Sequence, residues 1–160
     1  MAKEAKAMLD WANVQFAPAH WPGLGSNIEA ALRLGRDYRL KIAQELAEAE
    51  YHHSECEAVA AKAEQRSFCF QHGVITKQSV LLVHGFTACP YEMRELGEAL
   101  YQRGLNVYGV RLAGHGTRVA DFARSNRQDW LASAAKGLTI AALLGEQVNL
   151  IGESMGGTLA

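Results

Sequence analysis

A serine flanked by glycines is the feature of this 160-residue sequence with the clearest chemical meaning. Residues 152–156 fit the pattern G-x-S-x-G, after the apolar run QVNLIG and before a predicted helix. On such a turn a serine projects its hydroxyl above the sheet, and the glycines avoid a collision between Cβ atoms and the facing backbone. The pattern predicts Ser154 as a nucleophile that attacks acyl carbons. The alternatives are a phosphate-type turn, although G-x-x-x-x-G-K-[ST] is missing, or a plain helix cap.

A second motif, His84-Gly85-Phe86, directly follows the apolar run VLLV. Acyl transfer passes through a tetrahedral oxyanion, which needs two N–H donors. We expect the main-chain N–H groups of Phe86 and Met155 to supply them. A helix, a strand, a second helix and a second strand separate the two motifs. That count places both loops at the same edge of a parallel sheet.

Two histidines lie close to these motifs in the sequence. His84 stands at the end of its strand, and we interpret it as a residue that braces the loop, not as the catalytic base. His115 lies between Gly114 and Gly116. We interpret it as a turn residue near the pocket, with catalysis as the alternative.

Other clusters fit structural roles better than chemical ones. His52, His53 and Cys56 lack a fourth ligand and make a poor zinc site, so we expect a surface helix there. No metal or organic cofactor is expected. Trp11, Phe16 and Trp21 suggest core packing, with a ligand platform as the alternative.

Strand and helix patterns alternate from Ser67 onwards, which predicts right-handed βαβ units on a mainly parallel sheet. VLLV has the continuous apolar character of a buried parallel strand. The predicted order is a strand in SFCF, a turn-like QHGVITKQ, strand 80–83, helix 90–103, strand 106–112, helix 126–144, strand 147–152 and a final helix.

A helix is predicted from Ser26, with Ser26 or Asn27 as its N-cap. Its apolar stripe comprises Ile28, Ala31, Leu34, Tyr38, Ile42, Leu46 and Ala49. The polar run 45–65 continues the helix, with an expected break near His52–Ser54. We therefore divide the chain into a helical extension, residues 1–66, and an α/β core, residues 67–160.

The bulk composition excludes several classes of protein. The net charge is −1 without long runs of like charge, which argues against nucleic-acid binding and a polybasic membrane anchor. No apolar run is long enough to span a membrane, and the N-terminus lacks a secretory signal. Three scattered cysteines indicate free thiols in a reducing compartment. We expect a cytoplasmic protein of unknown oligomeric state.

Residues 80–117, the pair Asp129-Trp130 and NLIGESMGG closely resemble α/β-hydrolase-fold carboxylesterases and enzymes similar to monoacylglycerol lipase. The resemblance covers about residues 67–160. It implies the N-terminal half of a doubly wound α/β-hydrolase sheet and a serine ester hydrolase that acts on small acyl esters. Members of this family complete the triad with an Asp and then a His, both after the nucleophile helix.

Those two residues are not among these 160, so we expect the chain alone to be inactive. Two other classes of function stay open. One is another serine hydrolase of this fold, either a peptidase or an acyltransferase. The other is a truncated product without catalytic activity.

Overall fold

The computed structural model describes residues 33–58 and 62–159. The helices are α1 (Arg36–Ala58), α2 (Arg94–Tyr101), α3 (Val119–Phe122), α4 (Arg127–Leu144) and α5 (Met155–Leu159), with 3-10 turns at Ala63–Gln65 and Pro90–Met93. The strands are β1 (Phe68–Phe70), β2 (Thr76–Val83), β3 (Asn106–Val110) and β4 (Gly145–Gly152). None of the helices described is long and apolar enough to cross a membrane.

The four strands form one sheet in the order β1-β3-β2-β4. β2 runs parallel to both β3 and β4, whereas β1 is antiparallel to β3. Val83 lies opposite Val110 on one side and Gly152 on the other. The three parallel strands therefore end side by side, and the loops that follow them leave the sheet at one edge. The predicted mainly parallel sheet is confirmed.

Alternation along β2 divides the core between the two faces of the sheet. Leu81 and Val83 belong to the cluster that contains α4 residues and Ile42 of α1. Val80 and Leu82 pack instead with Phe68 and partly buried residues of α2. Successive strand residues point to opposite faces, so one strand serves both clusters. The result is a sheet covered by helices on both sides, as in doubly wound folds.

Helix α1 packs against α4, and a buried arginine joins the two. Arg39 Nη2 donates to the main-chain oxygens of Ala142 and Gly145, at 2.9 and 2.6 Å. Ion pairs between Lys136 and Glu50 and between Arg36 and Glu146 flank this contact. Part of the chain before Ser67 is thus docked on the sheet's helical layer.

Several details of the predicted α1 were wrong. The helix begins at Arg36, so Leu34 precedes it in a turn, and the predicted caps Ser26 and Asn27 lie outside the described residues. Ala49 is exposed, as is Tyr38, while Arg39 and Ala43 face inward. Ala43 is buried whereas Ala49 is exposed, so the positions of the alanines alone could not select the buried face. The helix also continues through His52–Ser54, because residues of that kind cost only tenths of a kcal/mol in a helix.

The α/β part follows the predicted order, except that the short helix α3 was not predicted and one segment was assigned wrongly. Thr76, Lys77 and Gln78 belong to β2, not to a turn. Thr76 and Gln78 are opposite Gly145 and Gln147 of β4. Main-chain pairing with β4 holds these polar residues in the strand. A hydropathy pattern cannot predict such pairing. The predicted helix 90–103 begins as the 3-10 turn and ends at Tyr101, before Gly104 at φ 87°.

We expect Ile42→Ala to lower the free energy of unfolding by about 2–5 kcal/mol, because the buried side chain leaves a cavity between α1 and the sheet. Ile42 is 3% exposed, whereas Tyr38 on the same helix is 36% exposed. Tyr38→Ala is therefore the matched control, with an expected loss of less than about 1 kcal/mol. Urea unfolding measures both. Equal losses would show that α1 does not dock through Ile42.

Candidate active site

Ser154 occupies the turn between the end of β4 and the start of α5, and it is exposed. Its φ of 51° is in the left-handed region, which residues other than glycine rarely adopt. The N–H of Glu153 donates to Val83 O at 3.0 Å, and that of Gly156 donates to Glu153 O at 2.8 Å. The first bond holds the turn against the end of β2, and the second closes the turn itself. Such strain, maintained by the surrounding structure, is typical of functional sites.

The two glycines of the motif are required by close main-chain packing. A Cβ added to Gly152 would lie 2.3 Å from the carbonyl carbon of Gly156. One added to Gly156 would lie 2.2 Å from Val83 O. Neither distance is possible for real atoms, and both neighbours are main chain. The spacing of small residues in the sequence therefore reflects how tightly α5 turns back onto β4 and β2.

The loop after β2 lies directly beside this turn. A Cβ on Gly85 would be 3.6 Å from Ser154 Cβ and 3.4 Å from Glu153 O. Thr87, two residues further on, has a φ of 61°. Ser154 and Thr87 are the two non-glycine residues with positive φ in the described part of the chain. The structure thus brings together the two predicted motifs, which are about 70 residues apart in sequence.

The predicted oxyanion donors are the next residues in these two segments. Phe86 follows Gly85, and its side chain is 53% exposed. Met155 follows Ser154 as the first residue of α5 and is partly buried. Both main-chain N–H groups therefore belong to the backbone that surrounds Ser154.

His84 connects the loop to the neighbouring strand and is fully buried. The main-chain N–H of Leu112 donates to Nε2 at 3.1 Å, so Nδ1 carries the proton and donates to Gly85 O at 2.9 Å. The pKa of His84 is lowered to about 4, chiefly by burial and also by the nearby His115 and Arg111, against the effect of the Gly85 bond. The ring is neutral near pH 7, and both its nitrogens are occupied. The predicted bracing role is confirmed.

His115 is held just as firmly in its turn. Its N–H donates to Leu112 O at 3.0 Å, and Nδ1 donates to Ala113 O at 3.1 Å. Arg111 donates from Nη1 to the His115 carbonyl at 3.0 Å. The side chain is 1% exposed, and Nε2 is buried without a hydrogen-bond partner. The pKa of His115 is lowered from its usual value, mainly by burial.

A cluster of aromatic rings that was not predicted from the sequence lies beside the loop. Its members are Phe86, His115, Phe122 and Trp130, with ring centroids 4.8–6.3 Å apart. Trp130 Nε1 donates to Ser125 Oγ at 3.0 Å, and Asp129 accepts from the main-chain N–H of Asn126, the N-cap of α4. The Asp129-Trp130 pair therefore fixes the start of α4. Phe122 carried no signal in the sequence, because its contacts depend on tertiary structure.

The remaining candidates lie elsewhere. His52 and His53 are exposed on α1, and no group of three or more His, Cys, Asp or Glu among residues 33–58 and 62–159 could hold a metal ion. Cys69 and Cys89 are free thiols, and burial raises the pKa of Cys69 to about 12. The predicted aromatic cluster of residues 11–21 is outside the described residues.

Comparison with known proteins gives a consistent set of relatives. The model of the alpha/beta hydrolase family matches residues 80–160. A thermostable monoacylglycerol lipase from Bacillus sp. strain H-257 is 45% identical over 80 residues, covering 50% of this chain and 32% of its own. A carboxylesterase from Bacillus subtilis strain 168 is 29% identical over 96 residues, or 59% of this chain and 38% of its own.

A solved structure, described as LipS and LipT, two metagenome-derived lipolytic enzymes, aligns with a TM-score of 0.57 and 31% identity. The alignment covers 62% of this chain and 39% of that chain. This chain therefore spans between 32% and 39% of the length of these three relatives. The residues that match the family model, 80–160, contain the serine turn and the loop after β2.

We expect Gly156→Ala to destabilise the protein strongly, because its Cβ would lie 2.2 Å from Val83 O and the backbone must shift. Gly157→Ala is the matched control, since the nearest atom to its Cβ, Gly152 O, is 3.2 Å away. Thermal unfolding should show a loss of about 3 kcal/mol or more for the first variant and about 1 kcal/mol or less for the second. Similar melting temperatures would contradict the close packing described above.

Proposed function

This chain belongs to the alpha/beta hydrolase family, and on that premise we propose that it carries the nucleophile and oxyanion hole of a serine carboxylic-ester hydrolase. One observation carries the proposal. Ser154 stands at φ 51° between a strand and a helix, and a Cβ built on Gly85 would lie 3.6 Å from Ser154 Cβ, so the loop after β2 lies directly beside the serine. A strained, exposed serine beside a loop of main-chain donors is what nucleophilic acyl transfer requires. The lipase and esterase relatives support the same reaction class.

In the proposed reaction, Ser154 Oγ attacks the carbonyl carbon of an ester while a base accepts the hydroxyl proton. The carbonyl oxygen becomes an oxyanion, which accepts hydrogen bonds from the N–H groups of Phe86 and Met155. The tetrahedral intermediate collapses, the C–O bond to the alcohol breaks, and the alcohol leaves with the proton. Water then attacks the acyl-serine by the same steps in reverse and releases the carboxylic acid.

Neither histidine near the turn suits the role of base. His84 has both ring nitrogens occupied by main-chain groups. His115 is buried and lies behind Phe86 in the aromatic cluster. The resemblance to carboxylesterases implies that a histidine and an aspartate after the nucleophile helix complete the triad. We therefore assign the base to a part of the gene product outside these 160 residues.

The substrate we propose is a small acyl ester. The relatives named as a monoacylglycerol lipase and a carboxylesterase favour this class over amides. The half-exposed ring of Phe86, with Phe122 and Trp130 behind it, offers apolar surface next to Ser154 for an acyl chain. We also propose that residues 1–66 form a helical extension to the hydrolase core of residues 67–160, joined to it through Arg39.

We expect a fluorophosphonate probe to label the complete gene product at Ser154 and to leave Ser154→Ala unlabelled. Thr158→Ala is the matched control, because it removes an exposed hydroxyl four residues away in the same segment. In-gel fluorescence and mass spectrometry of the labelled peptide measure the outcome. Equal labelling of the wild-type protein and Ser154→Ala would refute the proposed nucleophile.

We expect a polypeptide of these 160 residues alone to hydrolyse p-nitrophenyl butyrate at no enzymatic rate, because serine needs an adjacent base. Oxyanion stabilisation and binding alone leave at most roughly 10³–10⁴-fold acceleration over water. The outer edge of β4 is unpaired among the described strands and Leu150 is exposed, so we also expect poor solubility. Stoichiometric acylation of Ser154 in a soluble, monomeric preparation would contradict this expectation.

A further inference from the structure

We propose that His115 is a positioning residue for the oxyanion hole, and that it acts by packing its ring against the side chain of Phe86. This role rests on the proposed function, because it concerns the main-chain N–H that Phe86 is proposed to donate. His115 itself touches no reacting atom in this proposal.

The ring of His115 is the centre of the aromatic cluster. Its centroid lies 5.0 Å from that of His84 and 6.3 Å from that of Phe86. Phe122 and Trp130 approach it edge-on at 4.8 and 5.5 Å. His84 and Phe86 belong to the loop after β2, Phe122 to α3 and Trp130 to α4, and Phe86 also contacts Phe122 and Trp130. His115 therefore fills the space around which the other four rings are arranged.

The main chain around His115 cannot move easily. Three hydrogen bonds, from its N–H, from Nδ1 and to its carbonyl, hold the residue in the turn. Gly114 and Gly116, on either side, have φ of 74° and 67°. A Cβ on Gly114 would lie 2.7 Å from Ser125 Oγ, so the turn is also packed tightly against the segment after α3. The imidazole is thus a fixed surface for its neighbours.

Phe86, in contrast, belongs to a loop whose backbone has few restraints of its own. The loop is held at one end by His84 and closed by a bond from Ala88 N–H to Gly85 O at 3.3 Å. Between these points Thr87 takes a strained φ of 61°. The side chain of Phe86 is half exposed, and its ring contacts lie with His115, Phe122 and Trp130. Contact with a fixed ring is therefore what orients the Phe86 backbone.

Orientation matters because an oxyanion donor must lie about 2.7–3.1 Å from the developing charge. A misplacement of about 1 Å can cost on the order of 10²-fold in rate. The position of the ring, not its polarity, is what this role requires. Nε2 has no hydrogen-bond partner, and burial lowers the pKa of His115, so the imidazole is neutral near pH 7. A phenyl ring would supply the same surface: it loses the bond from Nδ1 to Ala113 O, but the two main-chain bonds of residue 115 remain to hold the turn.

The test uses the complete gene product and its Ser154-dependent hydrolysis of p-nitrophenyl butyrate. We expect His115→Ala to lower kcat by about 10- to 100-fold with KM within about threefold. His115→Phe, which keeps a flat ring, should restore kcat to within about threefold of wild type. His72→Ala is the control, because His72 is an exposed histidine near Asn106, at the opposite edge of the sheet. If His115→Ala fails to fold, His115→Leu takes its place, with the same expected fall in kcat.

A double-mutant cycle with Phe86→Ala tests whether His115 acts through Phe86. We expect Phe86→Ala to lower kcat. When His115→Ala is combined with Phe86→Ala, we expect kcat to fall further by less than about threefold. Multiplicative losses would overturn the positioning role, as would equal losses in His115→Ala and His115→Phe. Full activity of His115→Ala in an enzyme that depends on Ser154 would overturn this role alone. Hydrolysis that persists in Ser154→Ala would overturn the proposed function instead.

Discussion

The main-chain bond from Glu153 N–H to Val83 O ties the turn after β4 to the end of β2. Gly156 approaches the same carbonyl so closely that no side chain fits between them. Because Val83 lies opposite Gly152, the two loops leave the sheet side by side. The meeting of Ser154 with Gly85 depends on this backbone contact. Strand register brings the two loops together, and side-chain contacts then adjust their positions.

Burial decides the protonation of the two histidines behind the loop. An imidazolium there would lose its hydration and lie near Arg111, and both effects favour the neutral ring. A neutral imidazole can donate from one nitrogen and accept at the other, which His84 does between Gly85 and Leu112. These rings therefore join the loop after β2 to the turn that follows β3. Both rings support the loop structurally, and they do so in the neutral form.

The sequence was sufficient to predict the tight turn at Ser154, its glycines and the loop at His84, because their spacing follows from main-chain geometry that few residue types satisfy. It was insufficient for Phe122 and for the strained φ of Thr87, since these arise only when distant segments meet. The buried face of α1 was missed for a similar reason. Arg39 turns inward to bind carbonyls on α4, and a pattern that counts apolar residues assigns arginine to the surface. The polar segment Thr76–Gln78 belongs to a strand because of its backbone pairing with β4 and the hydrogen bonds of the Thr76 hydroxyl to neighbouring main chain.

The junction between α4 and β4 has no connecting loop, because Leu144 ends the helix and Gly145 begins the strand. The last carbonyls of a helix lack partners within the helix, and here a guanidinium from α1 satisfies two acceptors at that junction. α1 thus serves as a remote C-terminal cap and helps to set the residue at which β4 starts. Ser154 lies nine residues further along the same strand and turn. Helix α1 is therefore linked through this junction to the position of the serine, although the two lie on different segments of the chain.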